Sequence, residues 1–79
     1  MNPVILALCG EHGIDSDSVE VLEDVTKPAS KSAQTKFLKS CAKKNIFIVT
    51  TDVKVSDWLY GEGWGARGTA DATYLYNGA

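Results

Sequence analysis

Residues 26–52, TKPASKSAQTKFLKSCAKKNIFIVTTD, change hydrophobic period within a few positions, and the rest of the chain has to fold around that change. Ala33, Phe37, Leu38 and Cys41 recur at helical spacing while Lys36, Lys39 and Lys43 fall on the opposite side, so a helix with one apolar and one lysine face is predicted. Ser30 and Ser32 offer N-caps, Lys43 and Lys44 suit the negative end of the helix dipole, and Asn45 can close the helix in a left-handed conformation. Ile46, Phe47, Ile48 and Val49 then make the clearest strand in the chain. A strand over residues 19–25, VEVLEDV, would turn this unit into a βαβ crossover with parallel strands and a right-handed connection.

The flanks are read from their punctuation. Asn2 followed by Pro3 has the form of a helix start, and Gly13 followed by Ile14 has the form of a helix end, which predicts a helix over residues 3–12. The run VILAL at residues 4–8 keeps a buried strand open as the competing assignment. After Asp52 the pattern predicts an extended segment to Tyr60, a glycine-rich loop over residues 61–68 and a final strand over residues 72–76 that returns antiparallel. The expected architecture is a small α/β or α+β domain spanning residues 1–79, with a helix-strand core.

Charge is divided unevenly along the 79 residues. Six acids and no lysine or arginine occupy residues 1–26, whereas six lysines and no acid occupy residues 27–44, so the halves either offset each other or present a basic docking face. The run that includes Cys9 is too short for a secretory signal and lacks a positive flank, so Cys9 and Cys41 are expected to be reduced thiols in a cytoplasmic protein. No apolar run approaches the ~18 residues of a membrane span.

Several constellations fall short of a specific chemistry. Cys9, His12 and Cys41 provide three zinc-type ligands where a closed site needs four, and a thiol nucleophile at Cys41 would sit on the apolar face of its helix. No metal or cofactor is expected. Residues 15–26 lack the glycine and the terminal glutamate of a calcium loop. The stretch GIDSDSVEVLE resembles the Asp-Ser-Leu attachment site of acyl carrier proteins, which would make Ser16 a prosthetic-group site, but Asp17 stands where that motif has an apolar residue. Residues 35–60, with a helix, the IFIV strand and Asp57-Trp58-Leu59, resemble the second half of a BRCT domain without its preceding strands and glycine pair. Gly61, Gly63, Gly65 and Gly68 contain a form of the dinucleotide fingerprint, but the residues after them make a poor helix.

The remaining signal is aromatic. Trp58, Tyr60, Trp64, Tyr74 and Tyr76 crowd one short C-terminal stretch together with Arg67, and these are the residue types that dominate binding hot spots. The leading expectation is a non-enzymatic protein-interaction module of regulatory or inhibitory type, of viral or mobile-element character, with Trp58, Tyr60, Trp64 and Arg67 as anchors and Lys36, Lys39 and Lys43 steering an acidic partner. Self-association fits the same surface, and no membrane is involved. One alternative is a nucleic-acid binder using the lysine face, which the pI of about 5.1 opposes. Another is a small enzyme built on Asp52 at the carboxyl end of the IFIV strand.

Overall fold

The computed structural model describes residues 2–78. Local caps set most of its element boundaries. Asn2 Oδ1 accepts a hydrogen bond from Val4 N at 2.8 Å and Pro3 occupies the first turn, so helix α1 runs over Pro3–His12. Gly13, at φ 67°, ends it, and Ile14 N donates back to the Cys9 carbonyl at 2.9 Å. The competing strand over residues 4–8 does not form, because Ile5, Leu8 and Cys9 are buried together at helical spacing.

After a short 3₁₀ turn over Ser16–Ser18, strand β1 occupies Val19–Leu22 and helix α2 Lys31–Cys41. The strand is shorter than the expected 19–25, since the chain leaves the sheet at the exposed Glu23 and Asp24. Ser30 Oγ caps α2 by accepting from Ala33 N at 3.2 Å. Only Cys41 of α2 is fully buried; Phe37 and Leu38 are half-buried and Ala33 is exposed, so the apolar face is narrower than its period suggests. Strand β2 follows over Asn45–Thr50.

Two expectations fail beyond β2. The segment read as extended is helix α3, Val53–Gly61, capped by Asp52 Oδ1 on Lys54 N at 2.9 Å. Val53 and Val55 suggest alternation, but Val55, Trp58 and Leu59 are the buried set, and that spacing is helical. The segment read as a glycine-rich loop holds a strand, β3, over Gly65–Gly68. Gly63, at φ 93°, makes the reversal that separates α3 from β3. Strand β4, Thr73–Tyr76, returns antiparallel as expected.

The four strands form one mixed sheet in the order β1-β2-β4-β3, with β1 parallel to β2 and the other pairs antiparallel. This is an α+β single domain. Strand alternation sorts the core into two clusters. Phe47, Tyr74 and Tyr76 pack with Ile5, Leu8 and Cys9 of α1, while Ile46, Ile48 and Leu75 pack on the other face with Cys41 of α2 and Val55, Trp58 and Leu59 of α3.

Asn77 fastens these layers. Its Nδ2 donates to the carbonyls of Cys41 at 2.7 Å and Lys44 at 2.9 Å, and its Oδ1 accepts from Ile46 N at 3.0 Å. The side chain thus adds a second bond to the Cys41 carbonyl, which also accepts from Lys44 N at 3.0 Å, and satisfies the Lys44 carbonyl and the Ile46 N–H in the turn into β2. Asn77→Ala should lower the unfolding free energy by about 2 kcal/mol, measured by urea denaturation, because it removes three hydrogen bonds at once and takes from the part-buried Ile46 N–H its side-chain acceptor.

Burial raises the pKa of both the Cys41 thiol and the Tyr76 phenol above their ordinary values, with smaller charge effects from Glu20 on Cys41 and Cys9 on Tyr76. Each group holds its proton in the folded chain at a pH where the unfolded chain has lost it. Their contribution is therefore complete below the ordinary thiol and phenol values, ~8.5 and ~10, and is lost as pH rises from those values through the raised folded ones. Urea titrations across this range should show falling stability, with the later part of the slope reduced in Tyr76→Phe.

Candidate functional site

The expected aromatic anchor does not exist as one surface. Trp58 and Trp64 are each only 7% exposed and belong to the core cluster shared by α2 and α3. Trp58 packs on Phe37 with ring centroids 5.7 Å apart, and its Nε1 is buried without a hydrogen-bond partner among the described residues. Tyr60, at 68%, faces outward from α3, whereas Arg67 lies on the far side of the sheet. A glycine-rich sequence suggests tryptophans presented by a loop; instead Trp58 is buried from α3 and Trp64 from the position just before β3.

Lys36, Lys39 and Lys43 are exposed, and none is in an ion pair among the described residues. Lys36 and Lys39 lie on α2 and Lys43 in the turn after it, on the face of the sheet opposite Arg67, and no exposed tryptophan stands beside them as a stacking platform. Cys9 and Cys41 sit in different clusters on opposite faces, so they do not converge with His12 on one ion. Ser16 belongs to the 3₁₀ turn, whose cap is Asp15 Oδ1 on Asp17 N at 3.0 Å.

Two clefts adjoin the sheet among the described residues. The first, of about 400 Å³, opens at the carboxyl ends of β1 and β2 and is walled by Glu23, Asp24, Thr26, Thr50 and Thr51, with Val25, Val49 and Ala72. This is the edge where open α/β sheets hold ligands. Asp52 is not in its wall: its carboxylate caps α3. Acids and hydroxyls make up its polar lining, with no histidine, lysine, arginine or cysteine among the described residues to act as a nearby base or nucleophile.

The second cleft, of about 210 Å³, lies between α1 and β3. Leu8 and His12 form one side, Gly65, Ala66 and Arg67 the other, and Tyr74 and Tyr76 the floor. The His12 and Tyr76 rings are 5.1 Å apart and tilted, and Tyr76 stacks on Phe47 behind them at 4.7 Å. Asn2 Nδ2 donates to the Tyr74 hydroxyl at 2.7 Å, and the Tyr76 hydroxyl donates to Asn45 Oδ1 at 3.2 Å, so both rings are held in place. Arg67 Nη2 meets Glu11 Oε1 at 3.0 Å on the rim.

The wall formed by β3 is an open sheet edge. Thr69 N donates to the Ala72 carbonyl at 2.8 Å, which fixes the phase of the β3–β4 hairpin. In an antiparallel ladder, opposed residues alternate between exchanging both hydrogen bonds and exchanging none. Arg67 opposite Tyr74 and Gly65 opposite Tyr76 are therefore the bonded pairs, and Asn77 N on the Ile46 carbonyl, across the other side of β4, keeps the same phase. Ala66 and Gly68 consequently turn their N–H and C=O groups away from the sheet. Neither has another backbone partner among the described residues.

Sheet edges are usually blunted by lysine, proline or a bulge. Strand β3 reads Gly-Ala-Arg-Gly, so its only large side chain is Arg67. Tyr74 and Tyr76, alternating with Leu75, are readable in sequence as one face of a strand; the participation of Leu8 and His12 is not, because it depends on where α1 lands. Comparison with family models, curated proteins and solved structures gives no match for this chain.

Trp58→Ala should cost about 3–5 kcal/mol of stability, a large share of what a domain this size has, and should broaden or abolish the cooperative urea transition. A variant that unfolds with wild-type midpoint would remove the core assignment of Trp58.

Proposed function

We propose that this protein is an interaction module that binds an extended segment of a partner protein by strand addition along β3. One observation carries the reading: the outward backbone groups of Ala66 and Gly68 lie beside the cleft formed by His12, Arg67, Tyr74 and Tyr76. Main-chain hydrogen bonding supplies affinity in this mode, and pockets for alternate side chains supply selectivity. The expected anchors change accordingly. Arg67 keeps a recognition role, whereas Trp58 and Trp64 support it from the core, and Tyr60 and the lysines of α2 lie outside the contact.

Support also comes from how firmly β3 is held. Trp64, immediately before it, is buried, and after it Thr69 Oγ1 donates to the Ala72 carbonyl at 2.9 Å while accepting from Ala72 N at 3.1 Å. An edge anchored at both ends loses little further freedom when a strand joins it, and ordering costs are what strand addition must overcome.

Panning a library of random decapeptides against the folded chain tests the reading. Enriched peptides should shift the amide resonances of Ala66 and Gly68. Ala66→Pro and Gly68→Pro each remove one outward N–H that bonds nothing within the fold, and each should weaken the enriched peptides about tenfold or more while thermal melting stays near wild type. No enrichment, or binding indifferent to both substitutions, would overturn the proposal.

A further inference from the structure

The geometry points to the chemical class of segment that β3 accepts: we infer that the partner strand runs antiparallel and carries an acidic residue two positions before a large apolar or aromatic one. The inference rests on the strand-addition reading and deepens it.

The register determines which partner residues see the cleft. Take the partner residue that exchanges both hydrogen bonds with Ala66. Its side chain points to the face away from α1, as the Ala66 side chain does, because Ala66 opposes Leu75 of the other core cluster. Its two neighbours point to the α1 face. In an antiparallel pairing the following residue stands opposite Gly65 and the preceding residue stands opposite Arg67.

These two positions meet different chemistry. Opposite Gly65 no side chain intervenes, and the cleft lies open to Leu8, His12 and the ring of Tyr76. That lining favours an apolar or aromatic side chain, which can stack against Tyr76 and His12. Opposite Arg67 lies a half-exposed guanidinium with one donor, Nη2, engaged by Glu11. A guanidinium presents five N–H donors in a planar fork, so a carboxylate can be received on the remaining edge. Glu11 occupies part of the position that a ligand carboxylate would take, so in the free chain it stands in for the ligand.

Antiparallel polarity is preferred on stability. Ala66 and Gly68 each offer N–H and C=O side by side, which a strand of either polarity could use, and parallel pairing is slightly less stable per residue. Proline cannot occupy the partner position facing Ala66, because it lacks the N–H that pairing needs.

The sequences of peptides panned from the random decapeptide library provide the test. Enriched peptides should share Asp or Glu two positions before Phe, Tyr, Trp, Leu or Ile, with no proline between them. For a synthetic peptide with that pattern, Arg67→Ala should weaken binding about tenfold, while the same peptide with its acid replaced by the amide should bind wild type and Arg67→Ala alike. Glu11→Gln should strengthen the acidic peptide several-fold by freeing the guanidinium. Peptides that shift the Ala66 and Gly68 amides yet lack the acid preference, or keep it in Arg67→Ala, overturn this inference and leave strand addition standing. Peptides that leave those amides unmoved overturn both. So does a concentration-dependent dimer that Ala66→Pro abolishes, since a second copy would then be the occupant of the edge.

Discussion

The fold depends on β2 being buried on both faces at once. Phe47 and Ile48 are adjacent in sequence and fully inaccessible, yet they point into different clusters, so each face of the strand needs its own cover. Helix α1 covers one and α2 with α3 covers the other. A chain of 79 residues can bury a core of this kind only if few elements are spent elsewhere. That constraint explains why both tryptophans serve the core: each buries a large area, and the α2/α3 side has only short helices with which to fill it.

Legibility in sequence depends on the distance over which each signal acts. The cap at Asn2, the glycine at 13, the serine at 30 and the IFIV run are local, and the elements they announce are present. The unit of β1, α2 and β2 is also readable, because a helix between two apolar runs leaves few ways to pair them. Residues 53–68 mislead for a physical reason. Val53 and Val55 look like alternation and the glycines look like a loop, but Asp52 caps a helix and the glycines allow a short edge strand with almost no side chains. Propensity there loses to what Val55, Trp58 and Leu59 can bury together.

The candidate site is legible only in part. Arg67 stands out as a cation among aromatics, and Tyr74 and Tyr76 belong to the same aromatic group. Their partners Leu8, His12 and Glu11 come from the opposite end of the chain, and nothing local links them to β3. The division of the aromatics by the sheet is equally invisible. Trp64 and Gly65 are neighbours, yet one belongs to the α2/α3 core and the other to the α1 cleft, because successive residues of an extended chain face opposite ways.

This division is also what gives the edge its character. Were Trp58 and Trp64 exposed, they would provide hydrophobic area without direction, and selectivity would rest on shape alone. Buried, they belong to the core behind β3 and leave its outer side to backbone groups, whose hydrogen bonds are directional but indifferent to sequence. If a partner strand adds there as proposed, discrimination would fall to the few side chains that look across the edge, and Gly65 and Arg67 differ as much as two neighbours on one face can: one is an absence that would admit a bulky group, the other a charge that would ask for its opposite. The Glu11–Arg67 contact adds little stability at half exposure. Under the proposed strand addition its effect would be on selectivity, since a segment lacking a carboxylate would leave it in place and gain nothing from the guanidinium, whereas a segment that brings one would compete for a group already held in position.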